Sequence, residues 1–185
     1  MDRFEIKRDD SLIMMIDIQE RLFAAMKENI QEMLKKNSAI LLKAAGELNI
    51  PVIVTEQYRK GLGSTLPELS ALCPDSPNLE KLFFNCIKDE AIKDEVLKSG
   101  KKTVILTGIE SHICVFQTAL TLLNMKYNVI IASDGVASRR KHDWNTALEA
   151  LSKAGAVIYP TETIAFMLIE KAGTPEFKAL SHLFK

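Results

Sequence analysis

The most informative part of the chain is residues 103–120, which read TVILTGIESHICVFQTAL. The first six residues form an apolar, β-branched run, which is typical of a strand buried on both faces. From residue 111 to residue 126, apolar residues recur at helical spacing, and Cys114 lies in the first turn of that segment. The stretch therefore predicts a strand followed by a helix, the unit from which parallel sheets are built.

The same alternation extends over the whole chain. Six apolar or β-branched runs are separated by segments with helical periodicity, which predicts an α/β fold whose parallel sheet is covered by helices on both faces. A chain of 185 residues is long enough for one core, so we interpret residues 1–185 as a single domain. Residues 56–79 form a long loop, which is expected to cover or build a site. The predicted strands are residues 11–17, 51–55, 80–86, 103–108, 128–134 and 156–160.

Composition argues against several classes of partner. The formal net charge is +0, so no overall field favours nucleic acid or an anionic membrane. No run reaches the ~20 apolar residues of a membrane span, and the charged amino terminus MDRFEIKRDD is unlike a signal peptide. Three cysteines without CxxC spacing indicate neither a disulfide framework nor a zinc site. We therefore predict a cytoplasmic protein.

A few residues stand where the predicted strands end. Ligands of open parallel sheets bind at the carboxyl ends of the strands. Asp17 ends the first strand, and its position fits a helix N-cap and a functional carboxylate equally well. Cys114 follows the fourth strand and is either an inert buried cysteine or a nucleophile. The second interpretation holds if the helix amino end favours a thiolate and lowers the pKa of Cys114.

The remaining candidates carry weaker signals. Lys81 opens the third predicted strand after the long loop, where its side chain can reach the crevice, although a surface lysine is the simpler interpretation. Cys73 in the loop and Cys86 in the third predicted strand both fit inert cysteines. His112 lies too near Cys114 in sequence to act automatically as its base.

Four stretches together resemble the isochorismatase-like cysteine hydrolases, and most of all their small single-domain branch, the isochorismatase-domain-containing proteins. They stand in the family's order over about residues 11–170 and read MIDIQERL, VTEQYRKGLG, VILTGIESHICVFQTAL and IIASDGVASR. The resemblance implies three layers, α/β/α, around a six-stranded, mainly parallel, Rossmann-like sheet.

The resemblance also implies a catalytic site. It assigns an Asp–Lys–Cys triad to Asp17, Lys81 and Cys114, and a cis peptide bond to Ile109–Glu110. The backbone amides of Glu110 and Cys114 are expected to form an oxyanion hole. In the implied mechanism Lys81 stabilises a Cys114 thiolate that forms an acyl-enzyme, and Asp17 acts as acid and base.

The expected substrate-binding residues are Gln19, Glu56 and Tyr58, close to the ends of the first two strands. Nicotinamidases of the superfamily bind a metal through an Asp-x-His pair and a further histidine after strand two. Because no histidine follows strand two in this chain before His112, we predict neither a metal nor another cofactor. The family's small branch commonly has proline where Arg59 stands, so the shape of this loop is expected to differ.

Three functions remain open. Relatives that cleave a vinyl ether often lack the cysteine, so Cys114 favours hydrolysis of a C–N bond in a small molecule. An ester or vinyl-ether hydrolase on the same site is the first alternative. The second is a non-catalytic member that binds a metabolite or a partner protein.

Family members usually self-associate, so we expect a homo-oligomer. The tail of the chain carries apolar residues with the spacing of a terminal helix. We expect this helix to dock on a neighbouring subunit or on the parent domain. The residues concerned are Phe177, Leu180, Leu183 and Phe184.

Overall fold

The computed structural model describes residues 3–184, whose core is a six-stranded sheet. All neighbouring strands in the sheet are parallel, so the predicted α/β class is confirmed. The strands are β1 (Ser11–Ile16), β2 (Val52–Gln57), β3 (Asn78–Lys81), β4 (Thr103–Ile109), β5 (Asn128–Ala137) and β6 (Val157–Tyr159).

Helices cover the sheet on both sides. The α-helices within the described residues are α1 (Glu20–Ala24), α2 (Glu28–Leu48), α3 (Arg59–Leu62), α4 (Pro67–Ser70), α5 (Glu90–Lys98), α6 (Phe116–Asn124), α7 (Lys141–Ala154), α8 (Thr161–Ile169) and α9 (Pro175–Leu180). The long helix α2 and the helix α8 pack on one face, and α5, α6 and α7 pack on the other. No helix among residues 3–184 is long and apolar enough to cross a membrane.

The alternation of side chains along a strand creates the two apolar cores. In β1, Ile13 and Met15 contribute to the core under α2 and α8, whereas Leu12 and Met14 contribute to the core under α5, α6 and α7. Every residue of β1 and β4 is buried. A strand that is buried on both faces requires a continuous apolar run, so these strands can be recognised from the sequence.

The strand order places a reversal in the middle of the sheet. Strands run in the order β3-β2-β1-β4-β5-β6, so the chain builds outward from β1 in one direction and then from β4 in the other. The carboxyl ends of β1 and β4 meet at this switch point, which is where ligands bind in open α/β sheets. Asp17 follows β1 there, and the turn that carries Cys114 follows β4.

The structure corrects the prediction for residues 56–86. Strand β2 runs to Gln57, and the expected long loop contains α3 and α4. Strand β3 covers residues 78–81 and not 80–86, because its register pairs Gln57 with Lys81 and β2 offers no partner beyond that point. Lys81 therefore closes the strand instead of opening it. The following Leu82, Phe83 and Phe84 are exposed to 71%, 53% and 54%.

The carboxyl-terminal segment docks on the parent domain. Leu180 is buried, and Phe177 and Leu183 pack against the core under α2 and α8. The ring of Phe166 in α8 lies 6.3 Å from that of Phe177 and 5.2 Å from that of Phe184. The tail therefore completes its own domain.

Candidate active site

Three side chains from separate elements meet at the switch point. The Lys81 ammonium donates to the Asp17 carboxylate, with Nζ and Oδ2 2.6 Å apart. The Cys114 thiol adjoins the same carboxylate closely enough for the two groups to shift each other's pKa. Asp17 is 0%, Lys81 1% and Cys114 5% exposed. The structure therefore brings together the three residues that the resemblance assigns to the triad, in a site largely closed to solvent.

Asp17 is held by the neighbouring strand and is not a helix cap. Its backbone has a positive φ of 54° at the end of β1. Its amide donates to the carbonyl of Thr55 at 3.0 Å, and its Oδ1 accepts from Thr55 Oγ1 at 2.8 Å. Gln19 occupies the N-cap position of α1. The capping interpretation of Asp17 is therefore wrong, and the carboxylate is directed into the site.

Lys81 is positioned by the pairing of β3 with β2. Its Nζ donates to Gln57 Oε1 at 2.8 Å as well as to Asp17. Burial lowers the pKa of Lys81, but three neighbouring acidic groups outweigh it and leave the pKa raised: Cys86, Asp17 and Cys114, the two cysteines acting only when they are ionised. The ammonium therefore keeps its charge inside the protein, and a buried charge of this kind requires such partners.

Cys114 lies in a short π-helical turn, Ser111–Val115, between β4 and α6. The peptide bond between Ile109 and Glu110, just before this turn, is cis. Gly108 precedes it with a φ of 143°, and a Cβ atom there would lie 2.2 Å from the backbone oxygen of Ile16. Only glycine allows β4 to approach the end of β1 this closely, which brings the cysteine turn next to Asp17.

The electrostatics of Cys114 differ from the sequence-based expectation. Burial raises the pKa of the Cys114 thiol, and the negative charge of Asp17 raises it further. Lys81 acts in the opposite direction without reversing the result. The expected lowering of the Cys114 pKa is therefore wrong, and the thiol is protonated in the resting site.

Asp17 is a stronger base than an ordinary aspartate. Burial raises the pKa of its carboxyl, while the charge of Lys81 and the hydrogen bonds from Lys81, Cys114 and Thr55 oppose that increase in part. A carboxylate with a raised pKa accepts a proton more readily. The geometry thus pairs a thiol with an adjacent base, the usual arrangement of an activated nucleophile.

Gln19 and Glu56, expected to contact substrate, face the protein. Gln19 Nε2 donates to the carbonyl oxygens of Gln57 at 3.0 Å and of Gly63 at 2.6 Å. Gln19 Oε1 accepts from the amide of Gln57 at 2.7 Å. These bonds use the whole amide group, so we assign to Gln19 the role of fixing the segment that contains Gly63.

Glu56 also holds the segment around Gly63, through the residues on either side of it, Arg59 and Thr65. Its Oε1 accepts from the amide of Thr65 at 2.7 Å and from Asn78 Nδ2 at 3.2 Å, and its Oε2 accepts from Arg59 Nε. Burial raises the pKa of Glu56, but these hydrogen bonds outweigh it and lower the pKa. Arg59 is thus tied to a buried carboxylate. Tyr58 is 48% exposed and is the one member of the expected trio that is open to a ligand.

Cys86 adjoins the site, although the sequence suggested a filler in a strand. It begins a short 3₁₀ turn, and its Sγ lies 3.8 Å from Thr55 Oγ1, the hydroxyl that binds Asp17. Burial and the charge of Asp17 raise the pKa of Cys86 to about 11, against the opposing effect of Lys81. The second thiol therefore stays protonated behind the carboxylate. Its role has no signal in the sequence, because it depends on contacts between distant segments.

Two side chains of the cysteine turn are anchored to the end of β5. Arg139 Nε and Nη2 donate to the Glu110 carboxylate at 2.7 Å and 3.3 Å. His112 Nδ1 lies 2.9 Å from Ser138 Oγ. His112 is thus bonded to Ser138 rather than placed as a base for Cys114. Among residues 3–184, no group of three His, Cys, Asp or Glu side chains has the arrangement of a metal site.

Comparison with known proteins agrees with this fold. The family model of the isochorismatase domain matches residues 11–163. The secreted isochorismatase effector Isc1 of Phytophthora sojae is 36% identical over 179 residues, which is 95% of this chain and 84% of the relative. Isochorismatase domain-containing protein 2 of Danio rerio is 36% identical over 176 residues, which is 94% of this chain and 86% of that relative.

A solved structure shows the same likeness. The MAR1 ribonuclease of Caenorhabditis elegans superimposes with a TM-score of 0.89 at 34% identity, covering 97% of this chain and 91% of that one.

Proposed function

The chain belongs to the isochorismatase family, and from that premise we propose that it is a metal-independent cysteine hydrolase that cleaves the C–N bond of a small carboxamide. One observation carries the proposal: the Cys114 thiol adjoins a buried carboxylate that is itself paired with a buried ammonium. An inert core cysteine needs neither partner.

In the first step, Asp17 removes the thiol proton as the Cys114 sulfur attacks the carbonyl carbon of the substrate. The carbonyl π electrons move to oxygen, and the backbone amides of Glu110 and Cys114 are proposed to receive the resulting oxyanion. Lys81 stays protonated beside both groups. It offsets the negative charge while that charge moves from the carboxylate to the sulfur and on to the oxyanion.

In the second step, the protonated Asp17 gives its proton to the leaving nitrogen, the C–N bond breaks and a thioester to Cys114 remains. The regenerated Asp17 carboxylate then takes a proton from a water molecule that attacks the thioester. Collapse of the second tetrahedral intermediate releases the carboxylic acid. The thiolate recovers its proton from Asp17, so the protons balance over the cycle.

Two alternatives to an amide hydrolase remain: an enzyme that cleaves another bond, and a member that binds its ligand without catalysis. An ester would follow the same steps with an alcohol as leaving group, and a vinyl ether would need a different point of attack. A non-catalytic member would bind its ligand without forming a thioester. Trapping of an acyl-enzyme separates the amide and ester hydrolases from a non-catalytic member, and the choice of substrate separates amide from ester hydrolysis.

The test is a screen of small carboxamides and esters with the wild-type protein, the Cys114→Ser and Asp17→Asn variants, and Cys73→Ser as a matched control outside the site. We expect amide hydrolysis by the wild type and by Cys73→Ser, a thioester adduct on Cys114 in intact-mass spectra, and loss of turnover in the other two variants. Full turnover by Cys114→Ser on an amide substrate would overturn the proposal.

We also propose that the protein forms a homo-oligomer through the exposed apolar residues beside Lys81. Leu82, Phe83 and Phe84 follow that lysine directly, and the half-exposed Tyr58 donates its amide to the Lys81 carbonyl at 3.0 Å. Adjacent exposed aromatic side chains of this kind mark interaction surfaces. A monomeric mass in light scattering at micromolar concentration would refute the proposal.

Two further expectations stay predictions. The three cysteines are all free, which fits the predicted cytoplasmic location, although the Phytophthora sojae relative is named as secreted. The balanced net charge gives no support to RNA binding, so the ribonuclease activity named for the Caenorhabditis elegans protein is not proposed here. Intact labelled RNA after incubation with the protein is the expected result.

A further inference from the structure

A separate pocket of about 630 Å³ lies beside the catalytic site. It is bounded by the start of α2, the end of β5 and the start of α7, and its lining includes none of the three triad residues. Its volume falls in the range of pockets that bind small molecules. Ser138 and Arg139 on its wall bind His112 and Glu110 of the cysteine turn, so the pocket adjoins the catalytic site without containing its chemistry.

The charges that line this pocket are mostly positive. Four cationic side chains line it, and one of them, Arg139, is committed to Glu110. Within residues 3–184 no ion pair engages the other three, which are Lys27, Arg140 and Lys141. The one carboxylate in the lining is Asp134. Its Oδ1 accepts from the amide and the hydroxyl of Thr161, both at 2.7 Å.

The first residues of two helices add to this positive charge, and each helix also has one acidic residue in its first turn, Glu28 in α2 and Asp143 in α7. Lys27 and Arg140 stand at the N-cap positions of α2 and α7, and neither makes a side-chain cap. Acidic or neutral polar residues are preferred at that position, because the amino end of a helix is itself positive. Basic residues there add to the positive potential inside the pocket, which favours an anionic ligand.

The rest of the lining is apolar and includes an indole ring. Ile30, Met33 and Val136 contribute to it together with Trp144. The Trp144 Nε1 donates to the carbonyl of Ser133 at 3.1 Å, which fixes the ring in place. An apolar body on a ligand would remove this surface from water, at ~25 cal/mol per Å².

We propose that this pocket binds a small organic anion, an apolar ring that carries a carboxylate or phosphate group. The ring packs against Trp144 and Met33, and the acidic group is paired with Lys27, Arg140 and Lys141. This inference does not depend on the proposed hydrolase activity, because the pocket and the triad share no side chain.

Trp144 is the single tryptophan of the chain and lines this pocket, so its fluorescence reports on binding there. Titration with benzoate and with phenyl phosphate should change the emission in a saturable manner. Benzyl alcohol, a neutral ring of similar size, should bind at least about tenfold more weakly, which corresponds to ~1.4 kcal/mol. Added salt should weaken the binding of both anions.

Matched variants assign the binding to the pocket. Arg140→Glu and Lys27→Glu should each weaken anion binding at least about tenfold, since each turns an attractive charge into a repulsive one. Lys178→Glu makes the same change of charge on an exposed residue of α9 and should leave binding unchanged. Cys114→Ser should bind the anion as well as the wild type does. Lys27→Gln and Arg140→Gln, which only remove a charge, repeat the test if either charge-reversed variant is unstable.

Several results would overturn the proposal. They are the absence of a saturable change, equally tight binding of benzyl alcohol, and an effect of Lys178→Glu as large as that of Arg140→Glu. Loss of binding in Cys114→Ser would place the anion in the catalytic site instead. Emission that changes with protein concentration without any ligand would show that a second copy of the chain covers the pocket.

Discussion

Replacing Lys81 with methionine tests the buried ion pair at the centre of the site. The substitution keeps most of the side-chain volume and removes the ammonium that lies 2.6 Å from Asp17 Oδ2. Both side chains are fully buried, so the remaining carboxylate would have neither solvent nor a cation beside it. Removing one partner of a buried pair costs about 3–5 kcal/mol. We expect the free energy of unfolding to fall by about this amount at neutral or alkaline pH.

The loss should depend on pH. Without Lys81, the folded-state pKa of Asp17 rises further above its unfolded value of ~3.9. A native state that binds a proton more tightly than the unfolded chain gains stability as the pH falls through the folded-state pKa. Asp17 of the variant should therefore take up a proton at a higher pH than it does in the wild type. The gap between variant and wild type should be smaller at about pH 5 than at about pH 8.

The assay is urea unfolding of both proteins at the two pH values. The double variant Lys81→Met/Asp17→Asn should recover most of the lost stability, because it leaves no unpaired charge. Lys98→Met, which breaks an exposed pair with Glu95, should cost less than about 1 kcal/mol and serves as the control. A loss this small for Lys81→Met at both pH values, without recovery in the double variant, would refute the buried ion pair.

Three further predictions follow from the same site. Iodoacetamide should label Cys114 more slowly than a free thiol at neutral pH, and Asp17→Asn should accelerate the labelling while abolishing turnover, because the Asp17 charge raises the Cys114 pKa. Mass spectrometry measures the labelling rates of the wild type and the variant. Faster labelling of wild-type Cys114 than of a free thiol would contradict the reasoning. Gly108→Ala should lower the free energy of unfolding by at least about 2 kcal/mol, whereas Gly46→Ala in α2, with nothing within 4 Å of the new Cβ, should change it by about 1 kcal/mol or less. Cys86→Ala should cost about 1–2 kcal/mol in urea unfolding but keep turnover within about tenfold of the wild type; loss of turnover as complete as in Cys114→Ser would make it a reacting residue.

Topology made part of the site predictable. Strands β1 and β4 are buried on both faces, so their apolar runs could be recognised without knowledge of any contact. Because ligand sites lie at the carboxyl ends of parallel strands, those two runs led directly to Asp17 and Cys114. The residues lie far apart in the chain, yet β1 and β4 are neighbours in the sheet.

Lys81 was less accessible to sequence reasoning, because an edge strand carries little pattern. Of the four residues of β3, only Lys81 is buried. The apolar residues 82–84 suggested that the strand continued, but pairing with β2 ends at Gln57 and Lys81. The register between two strands, which no local pattern encodes, decides that this lysine points at Asp17.

The protonation state of Cys114 could not be predicted from its own segment. A position in the first turn of the predicted helix suggested a lowered pKa, because a helix amino end attracts a negative charge. The opposing effects arise from burial and from Asp17, a residue of another strand. A pKa in a buried site is set by groups that the fold assembles from distant segments, so the sign of the shift required the structure.

The raised pKa of Cys114 is compatible with the proposed mechanism, because in that mechanism the proton never has to leave the site. Burial disfavours ionisation of the thiol and of the carboxyl alike, and this raises the pKa of both groups. Transfer of the proton from sulfur to Asp17 creates no additional charge: one negative charge moves from oxygen to sulfur beside the same ammonium. The cost of burial therefore largely cancels in the transfer, although it applies in full when a thiol loses its proton to bulk water. The proposed mechanism therefore requires a thiol that is inert toward solvent and reactive toward a bound carbonyl. For this reason we expect Asp17→Asn to change alkylation and turnover in opposite directions.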